Sequence, residues 1–179
     1  KPRPVVDHYL NGGLGESVFG TVPAENPRNQ YHPGVMRIKA VDLLGNDGNR
    51  IETLRYHERM RVRITIDVEK PVNDLILAFT SGNELEENIL FASSADRRGD
   101  KGIELTTGEH VIEMEIDQQL QPGSFFTGIM LWDKNGYPYD AIRRFGRFFV
   151  EDFGDDDRYY RWKSRIGYYN PDTRIKLLT

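Results

Sequence analysis

The chain lacks several residue types and patterns, and each absence narrows what it can be. It contains no cysteine, which excludes disulfides and thiolate metal sites. No apolar stretch approaches the roughly 20 residues needed to span a bilayer. The net charge is −4 over 179 residues, which gives no electrostatic reason to expect a nucleic acid partner. The composition therefore favours a globular domain that does not bind nucleic acid.

Motifs for cofactors and nucleophilic catalysis are also missing. The glycines around Gly13 have no strand pattern before them and no Lys-Ser/Thr after them, so they do not form a phosphate-binding loop. The four histidines are scattered without metal-ligand spacing, and no Gly-x-Ser-x-Gly elbow is present. We expect no cofactor and no metal. Loop acids such as Glu84, Glu86 and Glu87 leave a carboxylate-based enzyme open, since such pairs are set by spatial separation.

Three regions follow one another along the chain. Residues 1–33 are predicted to be a linker with a short helix at Val5–Leu10, because a helical apolar stripe is followed by glycine- and proline-rich sequence. Residues 34–152 are predicted to be a β-sandwich. Residues 153–179 form an aromatic tail that packs on the sandwich or is exchanged between two protomers. The first residue is Lys rather than Met, which indicates a piece of a longer protein.

Strand patterns dominate the central region. In Met60–Val68 every second residue is apolar, which a half-buried strand satisfies and a helix does not. No helical segments lie between the strands to make parallel crossovers. The spacing predicts an all-β, antiparallel sandwich. The predicted strands are Val35–Leu43, Ile51–Leu54, Met60–Val68, Leu75–Thr80, Ile89–Ser93, Val111–Ile116, Phe125–Trp132 and Phe145–Val150.

Aromatic residues concentrate towards the end of the chain, with fourteen of them from Phe125 onward. An aromatic ring can cover the apolar C–H face of a sugar, while carboxylates, amides and Arg satisfy its hydroxyl groups. The segment that ends the strand Phe125–Trp132 has this composition, although a packed hairpin would have it too. The candidate carbohydrate-binding residues are Trp132, Asp133, Tyr137, Tyr139, Arg143 and Arg144, with Asn83 and Phe91 from the neighbouring hairpin.

The order of several segments resembles one known family. The segments are Met36–Leu44 with the turn Gly45–Gly48, then Tyr56-His57-Glu58 before Met60–Val68, then Leu120–Phe126 and Phe148-Phe149-Val150. They are similar to the C-terminal carbohydrate-binding domain of the Wzt-type ATPase subunit of O-antigen polysaccharide ABC transporters. The resemblance covers about Val5 to Glu151. The sequence departs from the family after Gly82, where a Gly-Asn-Thr signature is missing, and in its long Tyr159–Thr179 tail.

The resemblance implies an immunoglobulin-like β-sandwich, usually dimeric, that recognises a finished polysaccharide before export and performs no catalysis. It also implies an upstream ATPase domain, a transmembrane transporter subunit and a cytoplasmic location at the inner membrane. We expect the pocket on the sheet that contains Ile89–Ser93 and Phe125–Trp132. Trp132 and Tyr139 would stack on sugars, Asp133 and Asn83 would bind hydroxyl groups, and Arg143 or Arg144 would bind an acidic sugar or phosphate. A polysaccharide lyase or esterase and a purely structural dimerisation module are the alternatives.

Overall fold

The computed structural model describes residues 19–56, 58–83, 87–96, 102–151 and 173–178, and these residues fold into two β-sheets. The strands of both sheets contribute side chains to a single hydrophobic core. Strand pairs are antiparallel with one exception, described below. The predicted all-β antiparallel sandwich is confirmed.

One sheet has five strands, numbered here in chain order. Its spatial order is β1 (Gly20–Thr21), β3 (Met36–Leu44), β5 (Arg59–Val68), β9 (Gly108–Asp117) and β12 (Thr173–Leu178). The three long strands β3, β5 and β9 lie in the middle of this sheet and make most of its strand pairing. The edge strands are β1 and β12.

The other sheet has seven strands. Its main order is β2 (Arg28–Asn29), β11 (Pro138–Glu151), β10 (Gly123–Trp132), β6 (Val72–Gly82) and β7 (Asn88–Ser93). Strand β4 (Thr53–Arg55) pairs parallel with the end of β11, and β8 (Ile103–Leu105) pairs with the start of β6. A 3-10 turn at Ser94–Asp96 follows β7.

Strand β5 shows how alternation builds the core. Its apolar residues Met60, Val62, Ile64, Ile66 and Val68 are at most 1% exposed, while the residues between them face away from the core. Phe79 and Phe148 fill the core from the opposite sheet and are fully buried. Full burial of one such side chain contributes about 1.5–3 kcal/mol. The hydrophobic alternation therefore fixes which face of each sheet points inward.

Strand β11 differs from its prediction, because it starts at Pro138 rather than at Phe145. Its pairing with β10 contains register shifts, and Arg144 has a left-handed backbone with φ 51°. Such bulges break the two-residue period by which a strand is predicted. Proline is tolerated as the first residue of a strand, where no N–H is needed. Tyr139 consequently lies in a strand, although it falls between the predicted strands Phe125–Trp132 and Phe145–Val150.

Several predicted features at the termini lie outside the described residues. These are the helix Val5–Leu10 and the part of the aromatic tail at 153–172. The part of the predicted tail that is described forms β12, which pairs with β9 of the same chain. Two short strands lie within the predicted linker. Strand β1 pairs with β3 in the five-stranded sheet, and β2 pairs with β11 in the seven-stranded sheet.

A buried carboxylate ties the two sheets together at one side of the sandwich. Asp140 on β11 is 0% exposed and forms an ion pair with Arg28 on β2. Its Oδ2 also accepts a hydrogen bond from the backbone N–H of Ile38 on β3 at 2.8 Å, while Oδ1 accepts one from Gln30 Nε2 at 3.2 Å. Arg28 completes the link by donating to the carbonyl of Ile38 at 2.9 Å. Burial raises the pKa of Asp140, although the Ile38 amide and the Arg28 charge oppose that shift.

Asp140→Asn should lower the free energy of unfolding by about 3 kcal/mol, because it leaves the Arg28 guanidinium buried without its counter-charge. Urea unfolding at neutral pH measures the change. Asp117→Asn is the control, since it breaks an ion pair with Arg59 in which both side chains are 47% exposed, and it should change stability little. Equal losses in the two variants would contradict the buried tie.

Gly146, in β11, packs against Phe19, the first described residue of the chain. It has a positive φ of 68°, and a Cβ built there would lie 2.5 Å from Cε1 of Phe19. Phe19 precedes β1 of the opposite sheet and is 2% exposed. The absence of a side chain at Gly146 therefore lets both the backbone bend and the phenyl ring fit.

Gly146→Ala should cost about 2–3 kcal/mol of stability, because it adds a collision with Phe19 to the strain of a positive φ. Gly136→Ala is matched to it, since Gly136 has φ 83° and no atom within 4 Å of a built Cβ, and should cost only about 1 kcal/mol. Thermal or urea unfolding of both variants gives the comparison. A smaller loss at position 146 than at position 136 would refute the steric role of Phe19.

Candidate functional site

The seven-stranded sheet carries an aromatic surface on the side directed away from the core. We call it the outer face and define it by Phe91, Phe126, Met130, Trp132 and Phe149. Their strand neighbours Phe125, Ile129 and Leu131 point the opposite way, into the core. Phe91 and Phe149 are 39% and 37% exposed, and Trp132 is half-buried. The sheet predicted to hold the pocket therefore has solvent-accessible aromatic rings.

Phe91 and Trp132 come together on the outer face from strands β7 and β10, which lie on either side of β6. Their ring centroids are 6.2 Å apart, and the ring planes differ by 29°. This separation lies in the range of favourable aromatic pairs. The two rings make one apolar surface that crosses β6 at the end of β10 that carries Trp132.

Arginine side chains lie over aromatic rings elsewhere on the outer face. The guanidinium of Arg144 is 4.5 Å from the ring centroid of Phe126. That of Arg147 lies 5.6 Å from Phe126 and 5.3 Å from Phe149, and its Nε donates to Ser124 Oγ at 2.7 Å. Cation–π contacts hold these guanidinium groups in defined positions. The outer face thus combines apolar rings with positive charge.

The predicted pair Arg143 and Arg144 is divided by the local backbone. Arg144 is half-buried against Phe126, whereas Arg143 is exposed. The bulged register of β11 sends these neighbouring side chains into different surroundings. In the described ranges, no ion pair engages the guanidinium of Arg143, which leaves it available to an anionic ligand.

Asp133 holds the turn of the β10–β11 hairpin instead of facing solvent. It is 6% exposed, and its Oδ1 accepts hydrogen bonds from the backbone N–H groups of Asn135 at 2.8 Å and Tyr137 at 2.9 Å. Its Oδ2 lies 3.2 Å from Nε2 of His32. Burial alone would raise the pKa of Asp133, but these hydrogen bonds outweigh it and lower the pKa. The carboxylate is committed to the fold, so we do not retain it as a ligand for sugar hydroxyls.

Tyr139 is a core residue, which removes it from the predicted stacking surface. Its side chain is 8% exposed, its ring centroid lies 5.2 Å from that of His32, and its hydroxyl donates to Asp74 Oδ1 at 2.7 Å. Burial, together with the Asp74 carboxylate, raises its pKa. The register shift beside Trp132 places Trp132 opposite Pro138, so that Tyr139 turns inward.

Asn83 lies far from Trp132, at the far end of β6. It closes the β6–β7 connection, where its Nδ2 donates to Glu87 Oε2 at 2.8 Å and its Oδ1 accepts from the Glu87 N–H at 3.1 Å. Trp132 is paired with Ile76, and seven residues of strand correspond to about 23 Å. The structure therefore does not bring Asn83 to the Phe91–Trp132 pair. The loop acids Glu84 and Glu86 lie outside the described residues.

Tyr137 is exposed on the hairpin and stacks on a residue that the sequence analysis missed. Its ring lies 4.4 Å from that of Tyr31 at an interplanar angle of 23°. The two side chains are 47% and 61% exposed. Tyr31 stands in a stretch predicted as linker, and no local pattern indicated that it would meet Tyr137.

Several carboxylates elsewhere in the described structure are engaged in ion pairs. Glu113, on the five-stranded sheet, is 7% exposed and contacts Arg61 at 3.2 Å and Arg63 at 2.7 Å. Burial opposes ionisation of Glu113, but the two arginines outweigh it and lower its pKa. Among the residues that the structure describes, no three His, Asp or Glu side chains converge as metal ligands. The outer face itself offers aromatic rings for apolar contact and arginine guanidinium groups for charge.

The fold and its outer face define an antiparallel β-sandwich domain with an aromatic, basic sheet surface. The sequence profile of the Wzt C-terminal domain matches residues 28–159, and the chain belongs to this family. The family is associated with O-antigen ABC transporters. The resemblance predicted from the order of the sequence segments is confirmed.

Solved structures agree on the fold. The crystal structure of the C-terminal domain of Wzt superimposes with a TM-score of 0.66 at 13% identity, over 79% of this chain and 89% of that one. A Niemann-Pick type C2 protein from Japanese carpenter ant gives a TM-score of 0.47 at 8% identity, over 75% and 99% of the two chains. That similarity is too low to carry an argument. Comparison with curated protein sequences finds no match. Within the described ranges, no helix has the length and apolarity to cross a membrane.

Asp133→Asn should lower the free energy of unfolding by about 1–2 kcal/mol at neutral pH, because two backbone amides lose a charged acceptor. The folded-state pKa of Asp133 is depressed, so its contribution is complete above the ordinary value of about 3.9 and is lost as pH falls through the folded value. Urea unfolding should therefore give a constant difference from about pH 7 to 5 that shrinks near pH 3. Asn135→Ala, which keeps its backbone donor, should change little; a difference that grows in acid would contradict the assignment.

Proposed function

We propose that this chain is a non-catalytic carbohydrate-binding module that recognises an O-antigen polysaccharide for export by an ABC transporter. The observation that carries the proposal is the Phe91–Trp132 pair, two aromatic rings on the outer face with centroids 6.2 Å apart and planes within 29° of each other. Membership of the Wzt C-terminal domain family supports the substrate class.

Binding by the outer face follows from the chemistry of sugars. A pyranose has an apolar face of C–H groups with slight positive charge, which is attracted to the negative face of an aromatic ring. Phe91 and Trp132 together offer a surface wide enough for one or two sugar rings. Phe91 keeps 39% of its surface exposed, so a sugar would reach it without displacing other side chains.

The arginines supply a second element of recognition. Arg143 is exposed and Arg144 is held over Phe126, so both are placed to meet an acidic sugar or a phosphate on the glycan. Guanidinium groups form paired hydrogen bonds with such anions. Asn83 lies nearer to Phe126 than to Trp132, since Phe126 pairs with Gly82, and it would contact only a glycan that extends along the sheet.

The remaining partners come from the family association. The chain would act beside an upstream ATPase domain and a transmembrane transporter subunit, at the cytoplasmic face of the inner membrane. Two copies in a homodimer would bind one long glycan at two points, which raises the effective concentration of the second contact. Release of product from a glycan by the purified chain would favour a lyase or esterase instead.

Phe91→Ala and Trp132→Ala should each weaken binding of the cognate polysaccharide about tenfold, since about 1.4 kcal/mol of stacking is lost. A panel of purified O-antigen polysaccharides, tested with the full chain by isothermal titration calorimetry, identifies the ligand and measures the change.

Lys39→Ala is the control, because Lys39 is exposed on β3 of the five-stranded sheet, away from the outer face. It should leave the affinity within about twofold, a change of about 0.4 kcal/mol. Thermal unfolding checks that each variant is folded. Unchanged affinity in folded Phe91→Ala and Trp132→Ala variants would remove the outer face as the site.

A further inference from the structure

We infer that Tyr31 and Tyr137 form a second sugar-stacking site at the β10–β11 hairpin, separate from the Phe91–Trp132 pair. The site would hold another pyranose ring of the same polysaccharide, so the inference rests on the proposed function and specifies that the ligand is several sugar residues long. Tyr31 becomes a binding residue under this inference.

Exposure of the two rings is the first argument. Aromatic side chains usually bury most of their surface, yet Tyr31 and Tyr137 stay 61% and 47% exposed although they stack on each other. The parallel stack covers one face of each ring. The remaining surface is flat and apolar, and the two tyrosines can add hydroxyl groups able to bond sugar hydroxyls.

The pair is also held in place before any ligand arrives. The Tyr31 N–H donates to the carbonyl of Pro138 at 2.8 Å, and the Tyr137 N–H donates to Asp133 Oδ1 at 2.9 Å. His32 lies edge-on to both rings, at centroid distances of 4.9 Å and 6.4 Å, and is itself held by Asp133. Rigid aromatic contacts bind with little loss of conformational entropy.

The size of this surface favours a sugar over a protein partner. Two tyrosines with about 200 Å² of surface each leave roughly 200 Å² exposed between them. A stable protein interface buries about 800 Å² on each partner. One pyranose ring, in contrast, is about the size of a single aromatic ring.

The position of the pair indicates how it would work with the outer face. Trp132 pairs with Pro138, the residue that follows Tyr137, so each aromatic pair has one of its two rings on the β10–β11 hairpin. Among the described aromatic contacts, the Trp132 ring meets Phe91 and the Tyr137 ring meets Tyr31 and His32. A glycan that touches both surfaces must therefore continue past the sugar bound at Trp132.

The test compares long and short ligands on the full chain. The probes are the O-antigen polysaccharide that binds most tightly in the panel and its one- and two-residue fragments from partial acid hydrolysis. Tyr31→Ala and Tyr137→Ala should each weaken binding of the polysaccharide about tenfold and binding of the fragments less than about twofold. Tyr31→Phe, which keeps the ring, and Lys134→Ala, an exposed residue of the same turn, should bind nearly as the natural chain does.

Each other outcome overturns the inference. Equal weakening of the binding of long and short ligands would show that the tyrosines belong to the same site as the outer face. No weakening, while Trp132→Ala still reduces affinity, would refute the second site and leave the proposed function intact. Loss of both effects, or no binding by any polysaccharide, would reject the proposed function as well. A change in sedimentation coefficient in Tyr31→Ala would assign the pair to a contact between protein chains.

Discussion

The buried carboxylate of Asp140 is the interaction on which the position of the candidate site depends. It joins β2 and β11 of one sheet to the backbone of β3 in the other, through Arg28 and Ile38. A charged group with no exposed surface is costly unless it is paired and hydrogen-bonded, and Asp140 has one counter-charge and three donors. Because Asp140 stands two residues after Pro138, the start of the hairpin strand is fixed to both sheets.

The aromatic residues of the β10–β11 hairpin have two different orientations. Trp132 and Tyr137 face outward and accessible, while Tyr139 turns inward and bonds to Asp74. A shift of one residue in the pairing of β10 with β11 produces this division. Side chains that look equivalent in the sequence therefore have opposite roles, and Asp133 serves the turn that separates them.

The sequence predicts those parts of the structure that follow a regular period. Strand β5 was predicted almost to its ends because its alternation is uninterrupted, and the sheet shared by β7 and β10 was assigned correctly. The bulges of β11 carry no such period, so the inward turn of Tyr139 was not foreseen. The meeting of Tyr31 with Tyr137 joins residues more than a hundred positions apart, and composition alone cannot indicate a contact of that kind.

The contact between Phe19 and Gly146 has a consequence for how the domain is connected. Phe19 stands where the chain enters β1, and its ring occupies the space left by the missing side chain two residues beyond Arg144. Phe19 therefore packs against β11, the strand that bears Arg143, Arg144 and Arg147. Phe19 thus couples the start of β1 in one sheet to the strand of the other sheet that bears the candidate binding residues Arg143 and Arg144.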